Sequence, residues 1–260
     1  MKVFIVFAHP ELKSFNGSFL KRTVEHLEKK GHEVRVSDLY REQFKSVVDE
    51  KDFLNFKEGD RLKVAFQSFL ATTEGKLTED VNKAQENMKW ADLVIYQFPL
   101  WWYTMPAILK GWFERVFTCG FAYGVGVHDE THYGDRFGEG VMAGKKAILA
   151  ITAGGYPSHY NARGINGPID DLLFPITHNI LFYPGFTVLP SHITYKTDKA
   201  GDKEFEESLN SFLNTLDNID TVEPIPFRKQ NFGDYEFPSM TLKEGLEQQN
   251  EAGFSIHIKK

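Results

Sequence analysis

The sequence predicts an α/β chain: a doubly wound, five-stranded parallel sheet in the order 2-1-3-4-5, with helices on both faces. Three observations predict it. Short continuous apolar runs alternate with longer stretches whose apolar residues recur at helical spacing, and unbroken apolar runs suit strands buried on both faces. The sequence of elements is strand, helix, strand, long connection, then helix and strand in alternation, which is the order of right-handed crossovers. Finally, the residues able to bind or react cluster after strands one, three and four. Those strands are neighbours in this order, so their carboxyl ends share one rim.

Residues 3 to 8 are the first strand, Val3-Phe4-Ile5-Val6-Phe7-Ala8. The next helix runs to about Lys30, with Phe19, Leu20, Val24 and Leu27 on one face and Gly31 capping its end. Residues 33 to 37 alternate like an edge strand. Residues 41 to 77 are polar and mixed, with weak helix signals, and are too long for a simple loop. Thr78 is a good cap for a helix over residues 80 to 90. Leu93-Val94-Ile95 forms the third strand, which Pro99 stops because it cannot donate to a ladder. Pro106 opens a helix carrying Ile108, Leu109, Trp112, Phe113, Val116 and Phe117 at helical spacing.

Seven glycines between residues 120 and 144 mark an irregular excursion. Residues 145 to 152 are the fourth strand, ended by Thr152-Ala153-Gly154-Gly155. A helix over 167 to 181 contains Pro175, which bends or breaks it. Residues 182 to 189 lead into a fifth strand, and residues 203 to 216 form the last helix. From Thr221 the composition shifts to proline, asparagine, glycine and scattered aromatics. Residues 1–220 therefore read as one domain, and 221–260 as a tail lying on it or on a partner subunit.

Composition narrows the function. The 260 residues, 42% of them hydrophobic, suffice for one large core. A net charge of −6 with no long basic run argues against nucleic-acid binding. Cys119 is the only cysteine, so neither an intramolecular disulfide nor a cysteine metal cluster can form. No apolar run is long enough for a membrane span or a signal core, so the expectation is a cytoplasmic protein without membrane insertion. His128 and His132 stand four apart, but the glycines around them argue against a helix and no third ligand is evident. The expectation is no metal.

The first loop has neither a G-x-G-x-x-G fingerprint nor a P-loop. It offers Ser14 and Asn16 at a helix N-terminus, where free N–H groups and the dipole favour an anion. Taken singly, Ser14 is a cap, His9 a polar loop residue, and Gly154-Gly155 a turn. The consecutive aromatics Trp101, Trp102 and Tyr103 would suit a core or an interface equally well. Their convergence suggests more: backbone N–H groups of residues 100 to 103 edging a flat heterocycle, with glycines letting a backbone approach it closely.

Several segments carry a family resemblance. They are Tyr96-Gln97-Phe98-Pro99-Leu100-Trp101-Trp102-Tyr103; residues 106 to 117; His9 with Ser14-Phe15-Asn16; and Ser37-Asp38-Leu39-Tyr40. Phe121-Ala122-Tyr123 belongs with them, as does Thr152-Ala153-Gly154-Gly155 followed by Tyr160, Gly164-Ile165 and Gly167. Together they resemble the flavodoxin-like NAD(P)H:quinone oxidoreductases of the DT-diaphorase type. The resemblance implies a homodimer holding FAD, or less readily FMN, with NAD(P)H as electron donor. It places the pyrophosphate at His9, Ser14, Phe15 and Asn16. It places the flavin against Pro99, Leu100, Trp101, Trp102 and Tyr103 on one side, and Thr152, Ala153, Gly154, Gly155 and Tyr160 on the other. Tyr123, Trp102 and Tyr183 would line the substrate pocket, and residues 41 to 77 would serve dimer contacts.

The implied activity is two-electron hydride reduction of quinones, ping-pong through one shared site. Gly154, Tyr160 and Asn166 would steady the negative charge that grows at the flavin edge. Two departures stand out. Val125 occupies the place of a second pocket tyrosine in the vertebrate-type enzymes, and Asn166 the place of a histidine. Asparagine donates a hydrogen bond but cannot take up a proton as imidazole does, so a Tyr–His relay does not carry over intact. His178 lies where one subgroup is rich in histidine, but Phe182 stands at the companion position, so no metal is expected there either. An FMN-dependent azo- or nitroreductase, or a regulatory subunit of an ion-efflux system, would share these motifs.

Overall fold

Residues Met1 to Lys260 are all described by a computed structural model. At its centre β1 (Lys2–Phe7) pairs in parallel with β2 (Glu33–Asp38) on one side and β3 (Leu93–Pro99) on the other. β4 (Lys146–Ala153) pairs with the far side of β3. With β5 (Thr187–Val188) beside β4, the order is β2-β1-β3-β4-β5, as expected from the sequence. Register brings Ile5, Ile95 and Ile148 side by side across the three central strands.

The period-two geometry of a strand sends alternate side chains to opposite faces. Val3, Ile5 and Phe7 therefore meet α1 (Phe15–Lys29) and α6 (Asp202–Asp217), through Phe19, Leu27, Leu209 and Phe212. Phe4 and Val6 face the other layer, built from α3 (Glu79–Trp90), α4 (Ala107–Val116) and α5 (Ile169–Ile176). Trp112 and Tyr96 are fully buried there.

The fifth strand differs from expectation. It is split into β5 (Thr187–Val188), which pairs with the start of β4, and β6 (His192–Tyr195), which pairs with its end. Pro190 lies in the gap and has no N–H to offer a ladder. The helix around Pro175 also stops early. It gives way at Thr177 to a wider, π-helical turn over Thr177–Phe182.

The long connection after β2 contains α2 (Val64–Thr73) and is tied down by a single arginine. Arg115 on α4 reaches Asp52 at 2.9 Å, Asp80 at 2.6 Å, the Lys45 carbonyl at 2.9 Å and the Thr78 hydroxyl at 3.1 Å. Thr78 precedes α3 as expected but does not cap it through its side chain; its hydroxyl accepts from Arg115 instead.

Residues 221–260 lie on their own chain. The Ile225 N–H donates to the Val188 carbonyl at 2.9 Å, and Phe227 is buried in the main core cluster. Lys259 N–H donates to the Pro226 carbonyl, which folds the last residues back over the first. No helix is long and apolar enough to cross a membrane.

Candidate active site

Three loops leave the carboxyl ends of β1, β3 and β4, and direct contacts join each to the others. The His9 and Trp101 rings are 6.1 Å apart. Asn16 Nδ2 donates to Thr152 Oγ1 at 2.7 Å, and the Leu100 N–H donates to the Thr152 carbonyl at 2.8 Å. Tyr103 donates its hydroxyl to Asn166 Oδ1 at 3.3 Å. Gln97, two residues from the end of its buried strand, supports the first loop by donating to the Asn16 carbonyl at 2.7 Å.

Each loop presents backbone donors. Ser14 caps α1 by accepting from the Gly17 N–H at 3.2 Å, and its hydroxyl also meets His9 Nδ1 at 3.0 Å. The N–H groups of Phe15 and Asn16, in the first turn, have no acceptor within the chain. On the second loop the structure narrows the expected donor set. The N–H groups of Leu100 and Trp101 are taken by the carbonyls of Thr152 and Pro99. Those of Trp102 and Tyr103 are free, presented by left-handed backbone with φ of 50° and 62°. Gly154 and Gly155 add two more free N–H groups on the third loop. A Cβ at Gly154 would sit 2.4 Å from Asp198 Oδ2, and one at Gly155 2.9 Å from the Tyr160 ring. These glycines are there for close approach.

Tyr160 stands over Gly155, with its ring 5.5 Å from that of Tyr195. Burial, with the neighbouring Tyr103 phenol, pushes its hydroxyl up, against the hydrogen bond from Asn166. At neutral pH Tyr160 is therefore a protonated donor. The outer wall is aromatic: Trp101, Trp102 and Tyr103 are all exposed, Trp102 by 93%. Tyr123 and Tyr183 lie elsewhere on the chain. They line a groove against α4 with Phe113, Phe117 and Ile180, and no residue of the three loops borders it. Thr152, Ala153 and Pro99 are buried backbone supports of the rim.

Residues 1–218 match a family of flavodoxin-like fold. The chain is 49% identical over 259 residues to the ribosyldihydronicotinamide dehydrogenase-like protein traD of Penicillium crustosum, covering all of this chain and 96% of that one. It is 37% identical to NAD(P)H dehydrogenase (quinone) 1 of Cavia porcellus, over 98% of this chain and 92% of the relative. The chain belongs to the NAD(P)H:quinone oxidoreductase family. Its structure superposes on a candidate quinone reductase of Klebsiella pneumoniae with a TM-score of 0.96, 48% identity and 99% of each chain covered. Membership makes the chain an oxidoreductase.

The residues of the rim fit the flavin that this fold family implies. Asn16 Oδ1 is buried beneath the first loop with no hydrogen-bond partner, and unpaired donors border the rim on three sides. Sequence reading missed part of this surroundings. Beyond Ser14 and Phe15 an open groove of about 480 Å³ is lined by Thr197, Gly201, Asp202 and Phe205, at and just before the start of α6. Asp198 and Tyr195 also come from this side, and Lys196 N–H donates to the Gly155 carbonyl at 3.0 Å. The only signal for them was a four-residue alternation after Pro190, too short to distinguish from a loop.

Proposed function

We propose that this chain is a flavin-dependent NAD(P)H:quinone oxidoreductase, reducing quinones by two electrons in ping-pong fashion through one shared site, with FAD held in a homodimer. The observation that carries the reading is the set of unpaired backbone donors on three loops that meet at one rim. The first-turn N–H groups of Phe15 and Asn16, with Ser14 and His9 beside them, suit a pyrophosphate. The groove running on to Phe205 gives room for an adenylate half, which favours FAD over FMN. The free N–H groups of Trp102, Tyr103, Gly154 and Gly155 suit the polar edge of a planar ring.

When bound, a flavin supplies reversible two-electron hydride chemistry, which the protein's own side chains lack. The chain's part is position and electrostatics. Gly154 and Gly155 would offer donors to negative charge on a bound flavin, with the Tyr160 hydroxyl as a third. Asn166 holds the phenols of Tyr103 and Tyr160 and cannot itself accept a proton. Trp101, Trp102 and Tyr103 form the wall against which a flat nicotinamide or quinone would lie. A second subunit is supported by the apolar surface of the long connection, where Val47, Leu54 and Phe66 are each more than half exposed. A tyrosine groove on that partner would bring Tyr123 and Tyr183 to the open side of the rim. Cys119 as the lone thiol suits a reducing compartment, and we place the enzyme in the cytoplasm.

The test is cofactor uptake followed by turnover. Purified chain offered equal FAD and FMN should retain FAD at one per chain. NAD(P)H should bleach it, and a quinone should restore the colour, with parallel double-reciprocal plots. Protein that stays colourless with excess of either flavin would sink the reading.

A further inference from the structure

Within the glycine-rich excursion, residues 125 to 135 fold into a hairpin. The Gly134 N–H donates to the Val127 carbonyl at 2.8 Å, and the Asp135 N–H to the Val125 carbonyl at 2.9 Å. Asp129 closes the turn, its Oδ1 accepting from the N–H groups of Thr131 and His132. The hairpin sets His132 and Asp135 side by side, and Glu139 joins them. His132 Nε2 lies 2.9 Å from Asp135 Oδ1 and 4.0 Å from Glu139 Oε2. One ligand atom from each of the three residues lies within 4.8 Å of the others. No third ligand beside His128 and His132 is evident in the sequence; the fold supplies two carboxylates for His132, while His128 turns to the Tyr133 ring.

Charge and hydrogen bonding both leave this set short of a cation. No lysine or arginine pairs with Asp135 or Glu139. The basic neighbours face elsewhere: Arg136 onto Gln230 and the Tyr133 ring, Lys229 onto the Phe232 ring. Two carboxylates therefore share one imidazole. Asn231 from the tail adds a conflict. Its amide nitrogen lies 2.7 Å from Glu139 Oε2, 2.9 Å from the Gly134 carbonyl and 3.3 Å from His132 Nε2. With a proton on Nε2, His132 turns an N–H toward the Asn231 NH₂. Without it, a lone pair faces the Asp135 carboxylate. Either tautomer sets like against like. A cation among these atoms removes the conflict with Asp135, because the imidazole lone pair and both carboxylates then face positive charge.

The donor set and its spacing choose the ion. Imidazole with carboxylates suits zinc and similar transition ions, whereas magnesium and calcium take oxygen ligands. Ligands about 2.0–2.2 Å from a zinc ion stand about 3–4 Å from one another, the spacing of His132 from its two partners. The three side chains are 28%, 39% and 28% exposed, so an ion can reach them from solvent. We propose that His132, Asp135 and Glu139 bind one divalent transition-metal ion of the zinc class. The ion ties the hairpin to the segment after it, where the Phe137 N–H donates to the Tyr183 carbonyl at 2.8 Å. No residue of the three rim loops takes part, and the site does not depend on the redox reading.

The probe is Zn²⁺, titrated calorimetrically at neutral pH into full-length, flavin-loaded protein first stripped with a chelator. It binds once per chain with Kd of about 10 µM or tighter, and excess Mg²⁺ does not displace it. His132→Ala and Glu139→Gln each weaken binding by about 100-fold or more, beyond the usual cost of losing an outer-shell partner. Asn231→Ala removes the competing amide and no ligand, and keeps the affinity. Zn²⁺ raises the melting temperature of the parent and of Asn231→Ala but not of His132→Ala, and Glu139→Gln, nearly the same shape, keeps the parent's melting temperature without zinc. Binding weaker than about 10 µM, displacement by Mg²⁺, or affinity unchanged in both ligand variants overturns the proposal. So does an equal loss in Asn231→Ala, which would make the effect one of folding.

Discussion

The role proposed for Tyr160 rests on the setting of one side chain. Burial keeps its proton on, Asn166 orients it, and the absence of a side chain at Gly155 lets it lie close over the backbone. Tyr160→Phe should therefore retain bound flavin but slow its reduction by NAD(P)H about 10²-fold, the usual cost of one lost donor in a water-poor site. Stopped-flow reduction rates matching the parent would remove Tyr160 from the mechanism. The motif spacing placed Tyr160 and Gly155 at one site, and the fold brings them together. The same spacing could not show that Leu100 and Trp101 spend their N–H groups on Thr152 and Pro99, because hydrogen-bond partners across strands are set by register.

At the scale of elements, Arg115 couples α4, α3 and the long connection. It is 2% exposed at its side chain and bridges Asp52 and Asp80. Burial alone would raise the Asp80 carboxyl, but hydrogen bonds from Arg115 and Thr78 and the Arg115 charge hold it below the usual carboxylate range. Removing one partner strands a buried charge, so Arg115→Met should cost about 3–5 kcal/mol in urea unfolding. A loss under about 1 kcal/mol would show that the network is ornamental to the fold. Nothing in the local pattern of residues 41 to 77 announced this anchor. Arg115 sits among apolar helix residues, and its acidic partners lie 63 and 35 positions away.

For the whole molecule, the tail is part of the fold. Phe227 belongs to the core cluster, and Ile225 extends the edge next to β5. Truncation after residue 220 should expose Phe174, His178 and Phe182, lower the melting temperature and raise binding of a hydrophobic dye. An unchanged melting temperature would make the tail dispensable. Two histidines, His178 buried and His192 half-buried, add an acid sensitivity. Burial lowers both His178 and His192 from 6.5 to about 4. The unfolded chain takes up these protons below about pH 6.5 and the native chain does not, so stability is full above pH 6.5 and falls as pH drops toward 4. His178→Phe should flatten that slope in denaturation midpoints measured between pH 7 and pH 4; an unaltered slope would place the acid sensitivity elsewhere.

What the sequence determined by itself was the alternation of apolar runs and helical periods and the clustering of chemistry after three strands. These are local signals, written in side chains that repeat every two or every 3.6 residues. The tertiary structure decided which N–H groups stay free, that the fifth strand is broken at Pro190, that Arg115 holds the long connection, and that the tail closes over His178. Each of those depends on partners far apart in the chain, brought together only when the sheet and its two helical layers have formed.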